Sequence, residues 1–150
     1  MEILSIKKTQ EITRILKDIY GLELGGIFLL SGSNKIRYFE GDIDIKSINN
    51  LFKNINVESV GIYFGKLFNG EIRLSFDSAN LFKDRIMKNI IEISKEEMDL
   101  WFKGNSLHKD AKDGFYIIKH GKDIIGCAKL SNSTIYNYVP KEKRFRKGII

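Results

Sequence analysis

Between residues 9 and 20 the apolar positions Ile12, Ile15, Leu16 and Ile19 fall at i, i+3, i+4 and i+7, and Gly21 follows them as a stop. This spacing predicts an amphipathic helix. The next run, GGIFLLSGSNKIRYFEG, is rich in branched and aromatic residues around the turn formers at 31–34, and it predicts two short strands. After GDID, helical spacing returns at Ile48, Leu51, Phe52 and Ile55, with Asp44 placed to cap a second helix. In VGIYFGKLFNGEIRLSF, Val60, Ile62 and Phe64 alternate, Asn69-Gly70 supplies a tight turn, and Ile72, Leu74 and Phe76 alternate on the return. That pattern is a hairpin with one face in a core. A short helix through SANLFKDRI and a strand in NIIEIS follow.

At Ser94 the sequence SKEE offers a capping box, in which the Ser94 hydroxyl accepts from the backbone N–H of Glu97 and the Glu97 carboxylate reaches back. Met98, Trp101 and Phe102 make one apolar face, and Gly104 suits the left-handed residue after the last turn, so a helix is expected over 95–103. GFYIIKHG, KDIIGCAKLS and TIYNYV read as three strands bounded by Gly or Ser/Asn turns. The predicted order is α-β-β-α-β-β-α-β-α-β-β-β, an α+β chain with no repeat, no low-complexity segment and no linker.

With 150 residues and 43% hydrophobic side chains the chain can bury a proper core, as one domain or as two small lobes. The formal charge is +6 and favours an anionic partner. Its distribution is uneven: residues 1–75 carry 10 Lys+Arg against 9 Asp+Glu, and residues 76–150 carry 15 against 10. The positive excess belongs to the second half. Cys127 is the only cysteine, which excludes an intramolecular disulfide and a cysteine-based zinc site and fits a reducing cytosol. No apolar run approaches the roughly 20 residues of a membrane span, and a cytoplasmic protein is expected.

No catalytic motif is present: there is no GxGxxG, P-loop, HExxH or GxSxG, and His108 and His120 fall on different predicted elements. No catalytic residue, metal site or cofactor is therefore expected. The glycines of HGKDIIGCAK precede no long helix that would present its N-terminus to a phosphate. Cys127 sits in a strand as a small apolar side chain, Asp42 and Asp44 suit a turn and a cap, and the spacing of Trp101 to Met98 and Phe102 favours core packing over base stacking. The tail PKEKRFRK has five basic residues and one acid. A terminal charge run is usually solvated, but Pro140 fixes the backbone right after a predicted strand, so these cations start from a held point. Lys119, Lys122 and Lys129 on the neighbouring strands and turn are placed to extend the same patch, which would bind phosphates by counterion release.

EISKEEMDLWFKGNSLHKD followed by GFYIIKHGKDIIGCAKL resembles a PUA domain, the RNA-binding fold named for pseudouridine synthase and archaeosine transglycosylase. The resemblance lies in a strand, a helix ending in WFKG (Phe102), a Gly that opens an apolar strand (Gly114), and IIGCAK where the family has a pattern such as L-G-x-G, with Ala128 in place of the second Gly. Upstream, Phe64-Gly65-Lys66 and Ile72-Arg73-Leu74 are similar to the F-G-K and F-R-L pattern of the Nip-seven-type ribosome-biogenesis family, which has an N-terminal α/β domain and a C-terminal PUA. The tail IYNYVPKEKR looks more like the end of the PUA domain of archaeal Sun-type RNA cytosine-5 methyltransferases, where N-x-x-P-K-x-x-R closes the fold (Asn137, Pro140, Lys141, Arg144). These resemblances imply an N-terminal α/β lobe over 1–87 and a PUA-type β pseudobarrel with short helices over 88–150. They also imply a non-catalytic binder of structured rRNA or tRNA in rRNA processing, rRNA modification or large-subunit assembly. Lys129, Lys141, Lys143, Arg144 and Arg146 would contact phosphates, and the N-terminal lobe would dock a protein partner or orient the PUA. Two alternatives are a protein–protein adaptor and a stand-alone RNA-targeting subunit for an RNA methyltransferase.

Overall fold

The computed structural model describes residues 2–3, 6–32, 34–40 and 61–137. The chain divides into two compact units, Met1–Lys88 and Asn89–Ile150.

In the first unit, strand β1 (Glu2–Ile3) and helix α1 (Ile6–Tyr20) precede β2 (Ile27–Ser31), β3 (Lys35–Phe39), β4 (Ile62–Phe68), β5 (Glu71–Leu74) and helix α2 (Phe76–Leu81). The strands form a meander in the order β1-β2-β3-β4-β5, and every pair is antiparallel. The lobe expected as α/β thus has an antiparallel sheet in its described part, where the short connections at 32–34 and 69–70 fold each strand back beside the one before it. α1 begins three residues before its apolar spacing predicts and buries Ile12, Ile15, Leu16 and Tyr20. Its end is tied down twice. The Tyr20 hydroxyl donates to the Ile72 carbonyl, and the Tyr20 carbonyl accepts from the N–H groups of Met87 and Lys88 at 2.8 and 3.1 Å. Phe28, Tyr38, Phe64 and Phe82 stack as tilted and edge-on pairs in the core, with ring centroids 5.2 to 6.3 Å apart. The helix expected around Ile48–Ile55, with Asp42 and Asp44, lies outside the described residues.

The β4–β5 hairpin explains the paired motifs around Gly65 and Arg73. Gly65 lies opposite Leu74, Lys66 opposite Arg73 and Leu67 opposite Ile72, and a Cβ on Gly65 would stand 2.3 Å from the Arg73 carbonyl oxygen. Only glycine fits that approach. The return strand stops at Leu74 rather than continuing to Phe76, because Ser75 takes over as the N-cap of α2: its Oγ accepts from Ser78 N–H at 3.1 Å. The Ser75 and Ser78 hydroxyls also donate to the carbonyls of Tyr63 and Phe64 at 2.7 and 2.6 Å. Phe76, expected inside, is 57% exposed.

In the second unit, β6 (Ile90–Glu92), α3 (Lys95–Phe102), β7 (Leu107–His108), β8 (Gly114–His120), β9 (Asp123–Ser131) and β10 (Thr134–Ile135) follow in sequence. The sheet order is β6-β8-β9-β10-β7, with β6 parallel to β8 and the remaining pairs antiparallel. The core joins Ile93, Trp101, Leu107, Ile118, Ala128, Leu130 and Ile135. The β9–β10 turn places both Asn132 (φ 50°) and Ser133 (φ 60°) in the left-handed region, as a two-residue hairpin turn demands. The third expected strand, TIYNYV, is strand only at Thr134–Ile135 in the described part. Its second neighbour is β7, a two-residue strand too short to leave a periodic signal.

Replacing Gly65 with Ala should cost about 2–3 kcal/mol, since the clash is with backbone and not with a movable side chain. The denaturation midpoint of the full chain measures this.

Candidate nucleic-acid interface

Both ends of α3 are closed by local chemistry. At the start, the Ser94 side chain accepts from Glu97 N–H and the Glu97 carboxylate accepts from Ser94 N–H, each at 3.1 Å, so the predicted capping box is present. At the end, Gly104 (φ 96°) turns the chain while its N–H donates to the Trp101 carbonyl and that of Asn105 to the Leu100 carbonyl, both at 3.0 Å. This is a Schellman closure. Trp101 is 3% exposed and belongs to the core, as its spacing predicts. Among the described residues its indole N–H, which is buried, has no hydrogen-bond partner.

Asn137 also bonds to this helix end. Its Nδ2 donates to the Trp101 carbonyl at 2.6 Å and to the Asn105 carbonyl at 2.9 Å. The chain leaving β10 is thus pinned to α3 three residues before Pro140. Tyr136 directly precedes this anchor. Its N–H donates to the Lys129 carbonyl at 3.1 Å, which extends the β9–β10 register by one pair and sets Tyr136 opposite Lys129. Tyr136 is 44% exposed. Lys129 itself is half-buried, with its Nζ 4.8 Å from the centroid of the cross-strand Phe115 ring.

The other basic positions do not gather here. Lys122 sits exposed in the β8–β9 turn, at the far end of the hairpin from Lys129, on the order of 20 Å away at the rise of a strand. Lys119 is half-buried beside β6. The single patch expected from Lys119, Lys122 and Lys129 is therefore split, because strand length separates residues that the sequence merely lists in order. Lys141, Lys143, Arg144 and Arg146 lie outside the described residues. Tyr136 escaped sequence reasoning. Its one signal was an aromatic standing between a buried strand residue, Ile135, and the basic run.

His108 is exposed and lies 3.3 Å from Asp110, while His120 Nδ1 sits 2.8 Å from the Ile93 carbonyl; they share no site. Cys127 is half-buried in β9 rather than buried. Among the described residues no group of three or more His, Cys, Asp and Glu side chains is placed to hold a metal ion, and no helix is long and apolar enough to cross a membrane.

The strand–helix–strand order over 90–120, the WFKG closure and the Gly114 strand, on which the resemblance to a PUA domain rests, are all present. Residues 88–145 match the family described as Methyltransferase RsmF PUA domain. The second unit is thus a PUA-type unit, related to the PUA domains of Sun-type methyltransferases, and a PUA domain points to RNA binding. The match begins at residue 88, so the likeness of the upstream motifs to the Nip-seven type gains nothing from it. No curated protein matches the chain.

Within the PUA-type unit, Glu97 also pairs with Lys109 at 2.9 Å. Burial alone would push the Glu97 carboxyl up, but hydrogen bonds from Lys109 and the Ser94 backbone, with the Lys109 charge, outweigh it and hold the carboxyl below its ordinary value. A carboxylate depressed in the native state stabilises the fold above its unfolded value, about 4.3, and that contribution is lost as pH falls through the native value. Glu97→Gln should therefore be less stable than wild type at pH 7, and the gap should close below about pH 4. Urea midpoints at pH 7 and pH 3 provide the comparison.

Proposed function

We propose that this chain is a non-catalytic RNA-binding protein of the cytoplasm that presents structured RNA for modification, acting beside an RNA methyltransferase. The observation that carries the reading is the family match over residues 88–145, joined to the anchored start of the basic run at Asn137. Lys141 and Arg144 correspond to the N-x-x-P-K-x-x-R pattern and contact phosphates, with Lys143 and Arg146 beside them. Lys129 contributes from the sheet, and the exposed ring of Tyr136 offers a surface for an unpaired base.

Large-subunit assembly rests on the likeness of FGK and IRL to the Nip-seven type. The geometry gives that pair a local cause, the close approach of Gly65 to the Arg73 carbonyl. It therefore favours the modification role over the assembly role.

Substituting Lys141, Lys143 and Arg144 together by Ala should weaken binding to a structured RNA hairpin and reduce the slope of log affinity against log salt by about 2–3, with the melting temperature nearly unchanged. Asn137→Ala should also weaken binding while leaving every cation in place. Fluorescence anisotropy across a salt series reads both, and unaltered affinity in the triple variant would remove the tail from the site.

A further inference from the structure

We infer that the outer face of the first unit's sheet is a second binding surface, one that takes a single-stranded segment of RNA. This rests on the RNA-binding reading above and extends it to a unit the family match does not reach.

The register places three cations side by side. Lys35 on β3 lies opposite Lys66 on β4, and Lys66 lies opposite Arg73 on β5. Strands stand about 4.8 Å apart, so the row spans about 10 Å. One step along, Arg37 lies opposite Tyr63, and its guanidinium donates to the Gly61 carbonyl at 2.7 Å. The strands β3, β4 and β5 carry four basic residues against a single acid, Glu71, which sits at the hairpin end opposite Phe68. Like charges directly opposite one another destabilise a sheet. An anion lying across the row would meet three cations at once.

Aromatic rings flank the row on both sides. Tyr63 is 36% exposed and Phe68 37% exposed, and the bulge where β4 crosses Ile36 and Arg37 brings Tyr63 onto the face of Lys66 and Phe68. Lys66 Nζ lies 5.3 Å from the Phe68 ring centroid. An acidic peptide would satisfy the cations and leave the rings idle. A duplex would offer phosphates but keep its bases stacked inside. A single strand uses both, with phosphates over the cation row and bases on Tyr63 and Phe68.

The test uses the full chain, a fluorescent oligouridylate and a closed RNA hairpin. In Lys35→Thr/Lys66→Thr the salt slope for oligouridylate should fall by about 1.4, with a melting temperature equal to wild type or higher as the cross-strand repulsion is relieved. Tyr63→Ala/Phe68→Ala should lower oligouridylate affinity at least about tenfold. Hairpin binding should persist in both. Wild-type oligouridylate affinity in both variants, or no oligouridylate binding by the wild type, overturns the inference while leaving the PUA reading to the hairpin result. Displacement by polyglutamate as readily as by RNA of equal charge overturns it in favour of an acidic polypeptide. Loss of oligouridylate binding in the variants, with no hairpin binding by the wild type, supports this surface and sinks the PUA reading instead.

Discussion

The last turn of a helix leaves carbonyls without partners inside the helix, and in the PUA-type unit the way these are satisfied ties the end of α3 to the chain leaving β10. The N–H groups of Gly104 and Asn105 close two of them, and the Asn105 side chain adds a bond to Leu100 at 3.2 Å. The Asn137 amide then donates to both Trp101 and Asn105. One side chain thereby reaches residues 36 and 32 positions earlier in the sequence. It adds a further bond to the Trp101 carbonyl, beside the most buried aromatic of α3. Asn137 thus holds the chain to the end of α3 three positions before Pro140, where the basic run begins in sequence.

Both candidate surfaces use the same local device, a lysine whose charge lies over an aromatic ring on its own sheet. Lys129 lies over Phe115 and Lys66 over Phe68. The ring supports the apolar stem and orients the ammonium group. The two surfaces differ in what surrounds the pair. Around Lys129 the ring is buried and the exposed aromatic is Tyr136 across the strand, whereas around Lys66 the flanking rings are themselves exposed and the neighbours are more cations. The first arrangement suits a folded RNA contacted mainly through its backbone. The second suits a strand whose bases are free to stack.

Much of the scaffold was legible because its determinants are local. The capping box of α3, the Gly104 stop, the Asn69-Gly70 hairpin and the apolar stripe of α1 each depend on residues within a few positions of one another. The misplacements are equally physical. β5 ends early because the Ser75 hydroxyl finds the N–H of Ser78, a competition that alternation alone does not reveal. β7 and β1 span two residues each, which no period can mark. The parallel pairing of β6 with β8 requires α3 and β7 to intervene, and nothing within β6 encodes it.

The candidate sites were less legible than the fold. The amino-acid sequence by itself determined the longer described elements, the excess of positive charge in the second half and the likeness of the second half to PUA domains, since propensity, composition and motif are properties of neighbouring residues. Only the tertiary structure decided which charges stand together. Strand register set Lys35, Lys66 and Arg73 in a row and drew Lys122 away from Lys129, and the packing of Phe115 half-buried a lysine that looked exposed. Register is settled by which faces a whole sheet can bury, and that is a sum over contacts distant in sequence.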